Sequence, residues 1–584
     1  MSTDLKSIIA SVSGDRLMGH LEEFSRWTKH AGTPGERSSL DYIQRQLDLY
    51  GYTTTLIEHD AYISLPGKAR IVVDNSDIAC ITQSFSCPSP VGGLTAPVIY
   101  LGSGTDADYA GKDVEGKIVL LDGIAVPAAA QRARRYGAVG QVHISPHEHV
   151  HEMCISPVWG SPSHNTLGLL PTTVVVSTSS ASGAAIKARA AEPGFQMTLH
   201  AEVDTGWRKT PILVAEMAGP SADANEPFVM FTGHHDTWHL GVMDNGGANA
   251  TMIEVARIAA QHRDKWQRGL RVIFWSGHSQ GRYSGSTWYA DTHWEEIEGR
   301  AVAHVNIDST GAKGNVVLDD VQAAAEMVPL ARQVIAERTG QNLTGFRIAR
   351  AGDQSFWGIG IPSIFSALGE QSGEGGSAVA SFLFGGPGRK GAGTGWWWHT
   401  PDDTLDKMDK EISVRDTSIY LHAIWRLLCD NVLPIDYGAQ TDTLISHLRE
   451  LEDKVGGRVD LALALQRAAE LREHCTKLAQ AAQHANGVEA EHINRRIMSL
   501  SRLLVPLDYT VGDRFGQDPA LAMPAYPILA PLSDLASTDV GSDAEKAVMV
   551  EVRRAINRLA WILRQANDAL SVPFPSTVNG ERKS

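Results

Sequence analysis

The alternation of apolar, strand-like runs with amphipathic stretches between residues 212 and 368 constrains the fold most strongly. The runs are PFVMFTGHH, LRVIFWSG, VAHVNID and IPSIFSAL, and the stretches between them predict helices over 246–261, 284–297 and 319–338. Continuous apolar strands separated by helices are typical of a mostly parallel sheet with helices on both faces. We therefore expect an α/β fold, with ligands bound beyond the carboxyl ends of the strands.

The chain of 584 residues is too long for one core, and its segments differ in pattern. Residues 66–205 contain short β-rich runs broken by glycine and aspartate, which predicts a β-rich unit inserted into the α/β region. After Asp436 the glycine content falls and heptad-like stretches such as TLISHLRELEDKV predict a helical unit. The predicted domains are 1–65 together with 206–435, then 66–205, and finally 436–584.

The charge of the chain restricts its partners. A net charge of −15 argues against nucleic acid or an anionic membrane as the main partner. We see neither the basic and apolar regions of a signal peptide nor a run of about 18 apolar residues that would span a membrane. The expectation is a soluble, cytoplasmic protein that acts on a small molecule or a peptide.

A group of histidines and aspartates follows the predicted strands. His234 ends one strand, Asp244 opens the next helix, Asp308 ends VNID, and His399 precedes TPDDTLDKMD. Asp236 lies two residues beyond His234, where its carboxylate would hold the other imidazole nitrogen. A lone strand-end aspartate is more often a helix cap or turn former, so the combination carries the prediction. Two imidazoles and two carboxylates suit zinc, with cobalt, manganese or nickel as alternatives.

These motifs resemble those of a known family. GHHDTWHLGVMDNGGANA is similar to the first metal signature of the co-catalytic zinc exopeptidases, which include bacterial aminopeptidases and glutamate carboxypeptidases, and NIDSTG and HTPDDTLDKMD resemble their later signatures. Residues 90–205 resemble a protease-associated (apical) domain. The helical tail, with RLLVPLDYTVGDRFGQDP, resembles the dimerisation domain of glutamate carboxypeptidase and the transferrin receptor.

The resemblance implies roles for individual residues. His234 and Asp308 would bind one metal, Asp244 would bridge, and His399 would bind a second metal, with Asp236 orienting His234. It also implies a homodimer formed through the helical tail, and a zinc-exopeptidase-like catalytic domain.

The chain departs from the family at the catalytic pair. The family has two adjacent glutamates after the next strand, of which the first is the general base and the second binds the second metal. Here His278 and Ser279 occupy those positions, and no aspartate or glutamate lies between Asp264 and Asp291. Either His278 completes the second metal site or only one metal binds tightly, so we expect one or two ions. A histidine would also serve as an acid or base near neutral pH.

The residues beside His278 and His399 indicate an altered pocket. Arg282 would hold a substrate carboxylate, with a surface or structural salt bridge as the alternative, and Tyr283 or His278 would act as a proton shuttle or electrophile. Trp398, in the run Trp396–Trp398, would wall an apolar or aromatic subsite, although ordinary packing explains such a run equally well. The glycine-rich segment 369–395 lacks a phosphate-loop ending and is predicted to form a mobile loop at the pocket.

Three functions are compatible with these features. The first is a metal-dependent hydrolase of amide or peptide bonds with a noncanonical centre. The second is a metal-dependent hydrolase or lyase that acts on a non-peptide small molecule. The third is an inactive, peptidase-like binding or scaffold protein in which His278 fills a decayed site.

Overall fold

The computed structural model describes residues 3–221, 225–319, 321–345, 347–371 and 394–571. Most of the glycine-rich segment 369–395 lies outside the described residues. The strands, in chain order, are β1 (Thr53–Val73), β2 (Ser76–Ala79), β3 (Ile81–Thr82), β4 (Leu94–Tyr100), β5 (Ile118–Asp122), β6 (Gly140–Ile144), β7 (Val174–Thr178), β8 (Gln196–Met217), β9 (Phe228–His234), β10 (Gly269–Trp275), β11 (Ala301–Asn306), β12 (Asn315–Val317), β13 (Ser363–Ile364) and β14 (Glu370–Gln371).

The central sheet confirms the predicted α/β fold. Its order is β13-β11-β9-β10-β8-β4-β5-β6-β7-β3, and β1 pairs with β8 and β2. Strands β13, β11, β9 and β10 are parallel, whereas β8 runs antiparallel to β10. Every residue of β9 and β10 is buried, because helices cover both faces of a parallel sheet. The carboxyl ends of β9, β10 and β11 therefore share one edge of the sheet.

Two of the described helices begin after an aspartate whose side chain caps them, Asp409 and Asp436. The Asp409 carboxylate accepts hydrogen bonds from the backbone N–H groups of Glu411 and Ile412. The longer helices are Gly14–Phe24, Pro34–Leu49, Pro127–Arg135, Ser180–Arg189, Ala248–Ala260, Ser284–Thr292, Val328–Thr339, Lys410–Cys429, Tyr437–Val455, Ala462–Ala482, Gly487–Tyr509 and Asp543–Ser571.

One predicted helix begins too early. The sequence predicts a helix over 319–338, but the helix starts only at Val328. The preceding residues are extended along β13: Ala324 donates its backbone N–H to the Ser363 carbonyl, and Ala323 forms a bridge with Ile364. Pro329 stands in the first helical turn, where its fixed φ and missing N–H favour a helix start.

The inserted region is joined to the α/β part by two long strands. β1 and β8 pair antiparallel over almost their whole lengths, and each runs through a predicted domain boundary, at 65/66 and at 205/206. Strands β4 to β7 enclose their own apolar cluster, which includes Ile118, Val142 and Val176. The prediction of a protease-associated domain at 66–205 stays a prediction.

The helical tail packs directly on the α/β part. One apolar cluster extends without a break from Leu5 through Phe231 to Leu570. Tyr509 of the tail is buried and stacks on Trp357 of the α/β part, with ring centroids 4.2 Å apart. Within the described residues, no helix combines the length and the hydropathy needed to cross a bilayer.

Glu326 lies at the junction between the α/β part and the tail and gives a test of this packing. Both carboxyl oxygens are buried without a hydrogen-bond partner, and burial raises the pKa of Glu326 to about 8. In the unfolded chain the pKa would be about 4.3. Between these pH values the unfolded chain releases a proton that the folded protein keeps, so stability falls as the pH rises and then levels off above pH 8.

Replacing Glu326 by glutamine should remove this decrease in stability with rising pH, because glutamine does not titrate. We expect the E326Q variant to have a higher urea midpoint than the parent protein at pH 8, with the difference shrinking towards pH 5. Glu452→Gln, at an exposed position of the helix Tyr437–Val455, is the control and should leave the pH dependence unchanged. Parallel urea midpoints of parent and E326Q across this pH range would contradict the assignment.

Candidate metal centre

The strand ends bring the predicted ligands together. His234 is the last residue of β9, and Asp308 follows the neighbouring parallel strand β11. Asp244 lies in the kinked segment Val242–Gly247 before the helix Ala248–Ala260, and His399 lies in the loop that precedes the helix Lys410–Cys429. The sequence separates these residues by up to 165 positions, from His234 to His399, and the fold closes that gap.

Asp244 stands between the two imidazoles. Its Oδ1 lies 3.2 Å from His234 Nε2 and its Oδ2 lies 3.0 Å from His399 Nε2. Oδ1 of Asp308 lies 3.5 Å from His234 Nε2. The structure thus places all four predicted ligands in one cluster, with Asp244 in the bridging position.

Backbone carbonyls set the orientation of both imidazoles. His234 Nδ1 donates to the Asp236 carbonyl at 2.8 Å, and His399 Nδ1 donates to the Glu152 carbonyl at 2.6 Å. In the neutral form each ring then presents the lone pair of Nε2 to the carboxylates, which is the tautomer that binds metal. The inserted region therefore supplies a contact that holds His399.

The cluster fits a divalent cation. His234 Nε2 and Asp244 Oδ1 are buried atoms that lack a hydrogen bond, although they face each other. Burial lowers the pKa of His234, but Asp308 and Asp244 outweigh it and raise that pKa well above its ordinary value. Burial also raises the pKa of Asp244, but the two imidazoles outweigh it and hold that pKa below its ordinary value. Buried carboxylates require positive charge, which either protons or a metal ion can supply.

The carboxylate of Asp236 does not orient His234, which corrects the prediction from the sequence. It accepts the backbone N–H groups of His278 and Ser279 at 3.0 and 2.9 Å. The backbone carbonyl of Asp236 holds His234 instead. The two successive N–H groups after β10 turn towards this carboxylate, so Asp236 fixes the loop that carries His278.

His278 joins the metal cluster. Its ring stacks on that of His234 with centroids 3.8 Å apart and planes 15° apart. One ligand atom from each of His234, His278 and Asp308 lies within 4.8 Å of the others. His278 Nδ1 lies 2.8 Å from Asp353 Oδ2, so Nδ1 donates to the carboxylate and Nε2 is left for the cluster.

The sequence reasoning missed Asp353 and Asp403. Asp353 is buried and also accepts the Ser286 hydroxyl at 2.8 Å; burial raises its pKa, but His278 outweighs this and lowers it. Asp403 accepts the backbone N–H groups of Met243 and Asp244, and burial raises its pKa to about 7. Asp403 lies four residues after His399, within the motif HTPDDTLDKMD. Its closeness to His399 along the chain is the feature that could have identified it. Nothing in the sequence near Asp353 distinguishes it from a turn residue.

The predicted substrate residues line a cavity of about 350 Å³ that also contains Asp244, His278 and His399. Tyr283 is buried, packs the edge of its ring on His278, and interacts with the backbone of Gly352; burial raises its pKa. Trp398 stacks on His399 with centroids 3.6 Å apart. Arg282 also lines the cavity, and its guanidinium donates to the Ala520 carbonyl.

The chain is similar in sequence to known peptidases. Residues 213–424 match the sequence model of Peptidase family M28. The chain is 23% identical over 434 residues to the probable lipoprotein aminopeptidase LpqL of Mycobacterium tuberculosis, covering 68% of this chain and 82% of that protein. It is 23% identical over 508 residues to the probable glutamate carboxypeptidase VP8 of Zea mays, covering 72% of this chain and 68% of that protein.

Solved structures show the same fold. The zinc aminopeptidase BSAP from Bacillus subtilis aligns with a TM-score of 0.55 and 20% identity, covering 71% of this chain and 95% of that structure. The aminopeptidase from Aneurinibacillus sp. strain AM-1 aligns with a TM-score of 0.54 and 22% identity, covering 72% and 95%. These comparisons confirm the resemblance to zinc exopeptidases that the motifs indicate.

Gly247, in the NGG sequence after Asp244, tests how tightly the metal loop packs. A Cβ atom on Gly247 would lie 2.2 Å from the backbone oxygen of Thr310, two residues beyond Asp308. We expect Gly247→Ala to lower the free energy of unfolding by about 1–3 kcal/mol, because the backbone must shift. Gly19→Ala is the control, since a Cβ there meets nothing within 4 Å, and it should stabilise its helix by up to about 1 kcal/mol. Equal urea midpoints for the two variants would show that the loop is not closely packed.

Proposed function

We propose that this chain, whose residues 213–424 match Peptidase family M28, is a metal-dependent hydrolase of amide or peptide bonds of the exopeptidase type. The observation that carries the proposal is the meeting of His234, Asp244 and His399 in one cluster, with Asp244 between the two imidazoles. Asp244 and His399 also line the cavity. In the reaction, water adds across the C–N bond and yields a carboxylic acid and an amine.

Zinc is the proposed ion. His234, Asp244 and Asp308 would hold one ion, and Asp244 and His399 would contribute to a second. Imidazole nitrogen and carboxylate oxygen are donors that zinc accepts in proteins. A divalent ion held there would polarise the scissile carbonyl and make a water molecule more acidic.

His278 is proposed as a ligand on the His234 side of the cluster. Its placement with His234 and Asp308 favours a ligand role, and the Nδ1 contact with Asp353 is the arrangement in which a carboxylate supports a metal-bound histidine. The centre would then differ from the family pattern, because a histidine supported by Asp353 replaces the first glutamate. Ser279 provides no equivalent of the second glutamate, so the His399 side has fewer protein donors among the described residues that line the cavity.

Two further residues position His278. Asp236 accepts two backbone N–H groups from the loop that carries it, and Tyr283 packs the edge of its ring on the imidazole at 4.9 Å between centroids. Both contacts restrict the imidazole to the orientation in which Nε2 faces the cluster. We assign Asp236 and Tyr283 as positioning residues, because their contacts are with His278.

The proposal predicts how the metal responds to two substitutions. In Asp353→Asn the zinc affinity should fall by about 10- to 100-fold relative to the parent protein. In His278→Ala, which removes the proposed ligand itself, it should fall at least as far, and amide hydrolysis should fall with it in both variants. Elemental analysis after dialysis against a graded zinc buffer, together with turnover of a dipeptide panel, measures both effects. His164→Ala, at an exposed position, is the control and should change neither quantity.

The same experiment separates the alternatives. A His278→Ala protein that keeps its zinc and loses turnover would contradict the ligand role and assign His278 to proton transfer. Zinc-loaded parent protein that cleaves none of the amino-acid amides, dipeptides or blocked dipeptides would contradict the proposed hydrolase. The homodimer and the cytoplasmic location stay predictions from the sequence.

A further inference from the structure

Two guanidinium groups share the cavity wall next to His278. Arg282 and Arg350 both line the cavity that contains Asp244 and His399. Building on the proposed hydrolase, we propose that Arg282 and Arg350 form a subsite for a substrate carboxylate. The enzyme would then act on peptides or N-acyl amino acids that end in a free carboxyl group next to the scissile bond.

Arg282 has unused hydrogen-bond donors. Its Nη2 donates to the Ala520 carbonyl at 3.3 Å, and its Nε is a buried donor without a partner. The guanidinium also lies over the ring of Tyr283, 5.0 Å from the centroid. An arginine carries five N–H donors in a rigid fork, so most of the donors of Arg282 remain for a ligand.

Arg350 is held in a similar way. Its Nη2 and Nε donate to the carbonyls of Asp518 and Pro519 at 2.9 and 3.3 Å, and its guanidinium lies 4.5 Å from the ring centroid of Trp159. Burial lowers the pKa of Arg350 to about 10, and the positive charge of Arg282 contributes to that decrease. The two like charges are therefore close enough to repel each other.

Neither guanidinium forms an ion pair within the described residues, although the charge of Asp518 counteracts part of the effect of burial on the pKa of Arg350. Neither guanidinium has a carboxylate oxygen within 4.0 Å among the described residues, in contrast to Arg271 or Arg347. Asp518 is near Arg350, but its carboxylate accepts the backbone N–H groups of Val511 and Gly512. Two partly buried cations beside a cavity with apolar walls require an anion, and a carboxylate matches the fork bidentately.

The acidic groups of the cavity argue in the same direction. Asp244 and Asp308 are the carboxylates among the described residues that line it, and both belong to the metal cluster. Neither carboxylate is therefore free to bind the amino-terminal ammonium group of a substrate, as an aminopeptidase requires. Met153, Trp238 and Trp398 line the remaining wall and suit an apolar side chain on the substrate. The charges therefore favour recognition of a carboxyl terminus.

The test compares three synthetic substrates with the zinc-loaded full chain. They are N-acetyl-Ala-Phe with a free carboxylate, the same compound as its carboxamide, and Ala-Phe-amide with a free amino group. We expect the carboxylate to be preferred over the carboxamide by about 10- to 100-fold in kcat/KM, since hydrogen bonds to charged groups are worth about 1.5–3 kcal/mol. Arg350→Gln and Arg282→Gln should abolish this preference through a higher KM.

Two further variants serve as controls. Arg350→Lys keeps the charge without the fork and should retain part of the preference. Arg134→Gln removes an exposed guanidinium that also donates to loop carbonyls, of Gly168 and Leu170, and should retain all of it. Thermal unfolding of each variant establishes that it is folded.

Binding separates this inference from the proposed function. Calorimetry with N-acetyl-phenylalanine and its amide reports the subsite without turnover. If the acid binds better and Arg350→Gln removes the difference while no substrate is cleaved, the subsite stands and the hydrolase fails. Equal binding of acid and amide, or cleavage of Ala-Phe-amide in preference to N-acetyl-Ala-Phe, would overturn the subsite.

Discussion

A buried carboxylate held between two imidazoles is the interaction on which the rest of the site depends. Asp244 reaches both His234 and His399, and neither carboxylate oxygen lies more than 3.2 Å from its imidazole. Burying Asp244 with Asp308 is costly unless positive charge is placed among them. The backbone carbonyls that orient the two rings reduce this cost, because they point both Nε2 atoms at the carboxylates.

The inserted region and the helical tail both take part in the site. Glu152, from the inserted region, holds His399 through its carbonyl and also donates its N–H to the His399 carbonyl. The loop 518–520 of the tail accepts hydrogen bonds from Arg282 and Arg350. The cavity wall therefore combines three predicted units, and the geometry of any one depends on its packing against the other two.

His278 and Ser279 stand where the resembled family has a glutamate pair, and this changes the surroundings of the candidate metal cluster. His278 lacks the negative charge of a glutamate. The carboxylate of Asp353 accepts a hydrogen bond from His278 Nδ1 and so places a negative charge behind the imidazole. Ser286 in turn donates to Asp353, so this carboxylate has a fixed direction. A chain of polar contacts thus extends from the candidate metal cluster through His278 and Asp353 to Ser286.

The sequence by itself determined the α/β class, the positions of His234 and Asp308 after strands and the position of Asp244 before a helix, because periodicity and spacing are local properties of the chain. The expectation that a glutamate pair would stand at His278 and Ser279 came only from the resemblance of the motifs to a known family. The sequence led us to assign the orientation of His234 to the Asp236 carboxylate, whereas the Asp236 backbone carbonyl orients it. The sequence cannot separate these two groups, because they belong to the same residue. Only the tertiary structure decided which distant residues meet. Asp353 reaches His278 across 75 positions, and Arg350 joins Arg282 across 68, through loop paths that no periodic pattern records. These two pairs of neighbouring residues determine the distribution of charge around the cavity, and that distribution determines which ligands it can bind.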